Sequence, residues 1–208
     1  MNIYFNNGIG FGDLWSALHF LLRKSEASGE PSHISRYVNE HDVGNTLESM
    51  LTLIDAPSSA KVIISDEHAN ISTNGDSWGV AYYPTKVQWS PPPLPGIAYQ
   101  FDGKSSAHIK NPTQSEVDLL TRWAANRAIP LIKVGLPLTM AHSAMILAKY
   151  SSCFIGCCSG MSTLALATRV PTYVLEYELK VAWWYGPNPV NICPGMQSFI
   201  EKYEASYG

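Results

Sequence analysis

The chain has 208 residues, 46% of them hydrophobic and 15% charged, a balance that supports a packed core and argues against disorder. Its net charge of −3 includes no basic run of the kind that marks a general nucleic-acid surface. No apolar stretch approaches the roughly 20 residues needed to span a bilayer. The charge is uneven. Residues 1–95 hold five Lys and Arg against ten Asp and Glu, and residues 96–208 hold nine against seven. An anion is therefore more welcome in the second part, unless the imbalance is ordinary surface scatter. Met1 to Phe5 carries no basic stretch and enters a strand-like pattern at once, so no signal peptide is expected. Cys153, Cys157, Cys158 and Cys193 fit neither a disulfide framework nor a paired zinc motif, and reduced thiols in a cytoplasmic protein are the simplest account. Cys157 and Cys158 are adjacent and should point to opposite sides of an extended chain.

Asn2 to Phe5 reads as a short buried strand. Asp13 to Lys24 follows with Leu14, Ala17, Leu18, Leu21 and Leu22 on one helical stripe. Ile34 to Val38 is a second strand, Val43 to Ile54 a second helix with Gly44 weakening its start, and Val62 to Ile64 a third strand. This alternation predicts a parallel sheet covered by helices. Pro91-Pro92-Pro93-Leu94-Pro95 then interrupts it, because proline lacks a backbone donor and fixes φ. A stiff, extended connector is expected there, and it divides the chain into 1–90, a linker at 91–96, and 97–208.

Beyond the prolines the alternation restarts. Ile97 to Phe101 is strand-like, and Thr113-Gln114-Ser115-Glu116 is a capping box opening a helix through Val117, Leu120 and Trp123. Ile129 to Val134, Ser152 to Ile155 and Thr172 to Leu175 read as strands. Thr139 to Lys149 and Met161 to Arg169 read as helices. Tail elements run from Glu178 to Tyr185 and from Met196 to Tyr203.

Two glycine turns carry the chemistry. Asn6-Asn7-Gly8-Ile9-Gly10-Phe11-Gly12-Asp13 joins the first strand to the first helix, and its glycines let the backbone approach a ligand closely. Its spacing is not the dinucleotide fingerprint. Asp13 stands there as a helix N-cap or a first-turn acid. Ile155-Gly156-Cys157-Cys158-Ser159-Gly160-Met161-Ser162-Thr163 opens a helix above the carboxyl end of a parallel strand, the usual ligand crevice of open α/β sheets. Ser159, Ser162 and Thr163 offer hydroxyls suited to phosphate oxygens; alternatively the turn is a capped helix packed tightly through Gly160 and its alanines.

Together these blocks resemble the heptosyltransferase-like (family 9) glycosyltransferases. Gly10-Phe11-Gly12-Asp13-Leu14 is similar to the family's Gly-x-Gly-Asp signature. Cys158-Ser159-Gly160-Met161-Ser162-Thr163-Leu164-Ala165-Leu166-Ala167, ending at Val170-Pro171, resembles its Asp-Ser-Gly-x-x-His-Leu-Ala-x-Ala block. Lys110-Asn111-Pro112, with Glu116 and Leu120, is similar to its Lys-x-Trp-Pro stretch. The resemblance implies a GT-B-like α/β fold, with two small Rossmann-like lobes whose parallel sheets face a cleft. The first lobe would take the acceptor and the second the nucleotide-sugar.

The implied reaction is sugar transfer from a nucleotide-sugar to an acceptor hydroxyl, independent of a metal or other cofactor. Asp13 would be the general base. Lys110 and the amides after Ser159-Gly160 would neutralise the diphosphate leaving group, an effect that favours the transition state over bound substrate. Gly10, Gly12, Lys104, Lys110, Cys158, Ser159, Gly160, Met161, Ser162, Thr163 and Glu176 are the expected substrate-binding residues, with Lys104 the alternative phosphate ligand to Lys110. The family's Asp and His in the second block are Cys158 and Thr163 here, so the group contacted there should differ. The tryptophan before Pro112 is missing, and both lobes are short for the family.

By the same resemblance Glu176 and Glu178 are candidates for ribose hydroxyls; alternatively they are the solvated start of a helix. His142 reads as a partly buried core histidine, and Trp183-Trp184-Tyr185 as either a stacking surface or a core closure. Asp66-Glu67-His68 and Asp76 match no metal site. The acceptor is open among a glycan, a small molecule and a modified nucleic acid, the last without support from the acidic first part. A nucleotide-sugar-binding protein without transfer activity, or a sugar-nucleotide epimerase, are the alternative functions.

Overall fold

The computed structural model describes residues 2–3, 11–35, 47–65, 79–93, 96–103, 107–177 and 182–208. Strands β1 (Asn2–Ile3), β2 (Ser32–Ser35) and β3 (Val62–Ser65) lie side by side in that order, all parallel. Helices α1 (Phe11–Ser28) and α2 (Leu47–Leu53) are the elements between them in the chain. The second part supplies β4 (Ile97–Gln100), β5 (Leu131–Lys133), β6 (Cys153–Cys157), β7 (Thr172–Leu175) and β8 (Asn191–Cys193). These form a second parallel sheet in the order β5-β4-β6-β7-β8. Between and after them run α3 (Ala107–Lys110), α4 (Gln114–Asn126), α5 (Met140–Tyr150), α6 (Gly160–Thr168) and α7 (Met196–Tyr207), with a 3-10 turn at Ala182–Tyr185.

The expected alternation is present, with shifted boundaries. Helix α1 begins at Phe11, two residues earlier than the apolar stripe predicts, so Asp13 is its third residue and not its N-cap. The capping box forms as read. Glu116 N–H reaches the Thr113 hydroxyl at 3.4 Å, and the Glu116 carboxylate accepts the Thr113 N–H at 3.0 Å. Ile54 lies beyond α2 and bridges to Thr85. Strand β8 and the short helix α3 were not foreseen. Residues 4–5, 36–46, 94–95 and 178–181 of the expected elements lie outside the described residues.

Alternation along the strands sorts the second sheet's side chains into two cores. Ile97, Cys153, Ile155, Tyr173 and Leu175 face one side, under Leu120 and Trp123 of α4 and Phe199, Ile200 and Tyr203 of α7. Ala98, Phe154 and Val174 face the other, toward Met140, Ala144 and Leu147 of α5 and Leu164, Ala165 and Leu166 of α6. Both faces being covered, β6 and β7 are buried throughout and have no polar edge to alternate with.

The second of these cores does not stop at α6. Leu14, Trp15, Leu18, Leu21 and Leu22 of α1 belong to the same cluster, as do Ile34 of β2 and Met50 of α2. Helix α6 thus lies between its own sheet and α1, which is why Ser162 through Thr168 are all buried. Each fully buried Leu there contributes about 1.5–3 kcal/mol. Residues 82–90 thread along the same seam. Asp55 N–H bonds Pro84 C=O at 2.8 Å and Lys86 N–H bonds Leu53 C=O at 2.8 Å on one side. Thr85 and Trp89 N–H groups bond Ala167 and Thr168 C=O at 2.9 Å on the other. The C-terminal stretch returns to this seam, where Asn188 Oδ1 accepts the Tyr82 N–H at 2.9 Å.

Candidate functional site

The order of the second sheet defines a crevice. The chain lays down β4 first, then β5 on one side of it and β6 on the other. Connections therefore diverge between the carboxyl ends of β4 and β6, the position where open α/β sheets bind ligands. Gln100 and Gly156 are paired there in register. A Cβ on Gly156 would sit 2.8 Å from Gln100 C=O and 2.6 Å from the Phe154 ring, so only glycine fits.

Past β6 the chain turns through Cys157, Cys158 and Ser159 into α6. The two cysteines point to opposite sides, as expected. The Cys157 thiol faces Gln100 Oε1 at 3.7 Å, whereas Cys158 is buried against the Tyr185 hydroxyl. Burial pushes the Cys157 thiol pKa up, against the opposing pull of the Gly103 backbone and the Lys110 charge. All four cysteines are buried and none forms a disulfide. The hydroxyls at the head of α6 are committed within the protein. Ser159 donates to Gln100 Oε1 at 2.6 Å. Ser162 donates to Ser159 C=O at 2.6 Å and meets the Tyr185 hydroxyl at 2.9 Å. Thr163 donates to Gly160 C=O at 2.7 Å. Met161 is half-buried and lies over Gly135, whose φ of +86° suits glycine.

Past β4 the loop is clamped by Asn111, whose Oδ1 accepts the Gly103 N–H and whose Nδ2 donates to Gly103 C=O, both at 3.1 Å. Lys110, the last residue of α3, is buried with its stem over Gly103: a Cβ there would stand 2.7 Å from Lys110 Cε and 3.0 Å from Cys157 Sγ. Glu176 is half-buried just after β7, with its N–H on Cys193 C=O at 2.9 Å. Lys104, Gly10 and Glu178 lie outside the described residues, as do Asp66, Glu67, His68 and Asp76.

Gly12, at the head of α1, arrives at the same place from the other sheet. A Cβ on Gly12 would lie 3.1 Å from both Cα and N of Gly160 and 3.5 Å from the Ser159 carbonyl carbon. The heads of α1 and α6 therefore meet backbone to backbone, a close approach that a side chain at position 12 would crowd. Both helices direct their N-terminal amides and the positive end of their dipoles to this point. The Asp13 side chain lies outside the described residues.

His142 is exposed, not a core histidine, and its Nδ1 lies 3.1 Å from the Thr139 hydroxyl at the head of α5. Tyr185 is buried and closes a core, and Trp184 packs against that core. Sequence reasoning passed over Gln100, which bridges β4 to Ser159, and His19, which is wholly buried in α1. A glutamine ending an apolar strand and a histidine inside a leucine stripe carry little signal alone. Among the described residues no three His, Cys, Asp or Glu side chains converge as a metal site would require, and no helix is long and apolar enough to cross a membrane.

No protein-family model and no curated protein matches the chain. Its likeness is to solved structures. One is the bacterial iron-containing dodecameric glycosyltransferase TibC from enterotoxigenic E. coli H10407, at TM-score 0.58 and 13% identity over 84% of this chain and 57% of that one. Another is the dodecameric iron-containing heptosyltransferase TibC in complex with ADP-D-beta-D-heptose, at TM-score 0.54 and 14% identity over 89% of this chain and 60% of that one. E. coli heptosyltransferase WaaC with ADP follows at TM-score 0.46 and 12% identity, over 89% and 71%. The chain thus spans 57% and 60% of the length of the two TibC structures. At these identities the likeness is one of fold: the chain has an α/β architecture with parallel sheets, shared with heptosyltransferases.

Proposed function

We propose that the chain binds a nucleotide-sugar at the carboxyl edge of β4 and β6 and transfers its sugar to an acceptor hydroxyl. One observation carries this reading: the backbone contact of Gly12 with Gly160, which brings the heads of α1 and α6 together at the switch point of the second sheet. The TibC fold, in one case holding ADP-heptose, supports the same class of ligand. In this reading the two sheets belong to the two lobes of a GT-B-like arrangement, with the donor on the second.

The chemistry needs a base on the acceptor and charge stabilisation on the leaving group. Asp13 is the base. It removes the acceptor proton as the new bond to the anomeric carbon forms. The departing diphosphate gains negative charge, which the α6 amides and Lys110 stabilise without a metal. Lys110 is suited to this because its ammonium is carried on a buried stem beside the crevice, where water screens it less. Ser159 and Gly160 shape the floor, Met161 lies at its side, and Glu176 stands at the end of β7 where ribose hydroxyls would fall.

Binding without transfer is the second reading. It is favoured by the inward commitment of Thr163 to Gly160 and of Cys158 to Tyr185, at the two positions where the resembled family has charged side chains. A panel of nucleotide-sugars assayed for nucleoside diphosphate release separates the readings. Transfer releases diphosphate, and Asp13→Asn lowers turnover by roughly two to four powers of ten while donor binding survives. Stabilisation by a donor with no release identifies a binding protein, and conversion of the bound sugar without release an epimerase. An Asp13→Asn protein that turns over like the parent removes Asp13 from the mechanism.

A further inference from the structure

Two lysines flank the loop that leaves β4, each held at one of two consecutive residues. Asp102 pairs with Lys133, Oδ2 to Nζ at 2.9 Å, and the stem of Lys110 lies over Gly103. Lys133 is the last residue of β5 and is in register with Tyr99 of β4, so it stands at the carboxyl edge of the sheet. A row of hydrogen bonds sets its position. Asp102 Oδ1 accepts from Gln100 Nε2 at 2.8 Å, and Gln100 Oε1 accepts from the Ser159 hydroxyl at 2.6 Å. A carboxylate only accepts, which fixes the sense of the Gln100 amide. The row crosses the ends of β5, β4 and β6 and finishes at the head of α6.

As a stabilising device this row is poor. The ion pair is half-exposed, with side-chain accessibilities of 51% and 56%, and such pairs add little to folding. Gln100, by contrast, is buried, and a buried amide is tolerated only when its donor and acceptor are both bonded. An exposed cation anchored to the floor of a ligand crevice through a buried amide is better explained by what the cation touches.

We propose that Lys133 is a second cation for the ligand's anionic group, so that the crevice is built for two adjacent phosphates, Lys110 meeting one and Lys133 the other. The inference rests on the nucleotide-binding reading above and adds Lys133 to its diphosphate site. A phosphate oxygen takes the place of the Asp102 carboxylate on Lys133.

Calorimetric titration of the whole chain with ADP, GDP, UDP and CDP, followed by the monophosphate of the tightest binder, tests this. The parent is expected to prefer the diphosphate by tenfold or more. In Lys133→Gln that preference falls to about twofold, with monophosphate affinity unchanged, and Lys149→Gln on the exposed side of α5 alters neither. Thermal unfolding verifies that each variant is folded. A Lys133→Gln protein that keeps the full preference, or a parent that binds both phosphates alike, overturns the assignment of Lys133 while leaving nucleotide binding in place. A parent that binds none of the four diphosphates overturns the nucleotide reading, and this inference with it.

Discussion

Acidification should loosen the seam between the two sheets through one residue, His19. Its ring is wholly buried, its Nδ1 accepts the Tyr83 N–H at 3.0 Å, and its Nε2 has no hydrogen-bond partner among the described residues. Trp15 and Tyr82 enclose it, each with ring centroid 4.9 Å away. Burial, reinforced by the positive charges of Arg23 and Arg169, lowers its pKa from 6.5 to about 3. Above pH 6.5 the ring is neutral in both folded and unfolded chains, and stability is unaffected. Below it the unfolded chain takes up a proton that the folded chain refuses, so stability is lost as the pH falls from 6.5 toward about 3. The slope is about 1.4 kcal/mol per pH unit, or about 2 kcal/mol by pH 5. Urea unfolding at pH 7.5, 6.5, 5.5 and 5.0 measures it, with His19→Asn as reference because Asn retains an acceptor for Tyr83 and cannot titrate. The carboxylates titrate alike in both proteins and cancel in the difference. The parent's advantage over the variant should shrink by about 2 kcal/mol between pH 7.5 and 5.0. An advantage that is constant across that range would refute the burial argument.

Gly12→Ala places a methyl 3.1 Å from the Gly160 backbone, which has no flexible end to move aside. Overpacking of about 1–3 kcal/mol, offset by about 1 kcal/mol of helix propensity, should leave a net loss of up to about 2 kcal/mol in denaturant titrations. A gain in stability would mean that the two backbones part easily by the few tenths of an ångström the methyl needs, and that the contact is not tight. Glu116→Gln tests a carboxylate that accepts from the Thr113 N–H and hydroxyl and the Tyr177 hydroxyl at 3.0 Å, and from the Met196 N–H at 3.3 Å. Burial pushes its pKa up, but these donors outweigh it and hold it below 4.5, so its contribution is present above pH 4.5 and lost in acid. The variant should lose about 1–3 kcal/mol at pH 7 by chemical denaturation, and an unchanged midpoint would show that the network adds nothing.

What the sequence made legible was local. Thr113 and Glu116 sit three apart and need only each other, so their cap could be read directly. The buried runs of β6 and β7 announced themselves through length and apolar content. Asn191–Cys193 could not, because the four residues between Pro189 and Pro194 are too few to establish a period, and Asn191–Cys193 become a strand only by pairing with β7. The same holds at the site. Glycine density flagged both turns, yet nothing in either turn says that Gly12 meets Gly160, a contact between residues 148 positions apart. Lys133 lay unremarked inside the expected strand Ile129 to Val134, and its meaning comes from Asp102 on a neighbouring strand's loop. Long-range partners of this kind are set by topology, which composition and periodicity leave open.

Helix α6 has consequences for how the chain can be cut or recombined. Leu164, Ala165 and Leu166 pack in one cluster with Leu14, Trp15 and Leu18, while residues 82–90 hydrogen-bond to both neighbouring helix ends. A fragment ending at the prolines would leave α1's leucine stripe facing water, and a fragment beginning after them would bare the outer side of α6. Neither piece has the makings of an exchangeable module. A chimera that swaps one sheet for that of a relative has to carry α1 and α6 as a matched pair, glycine against glycine, or rebuild the surface between them.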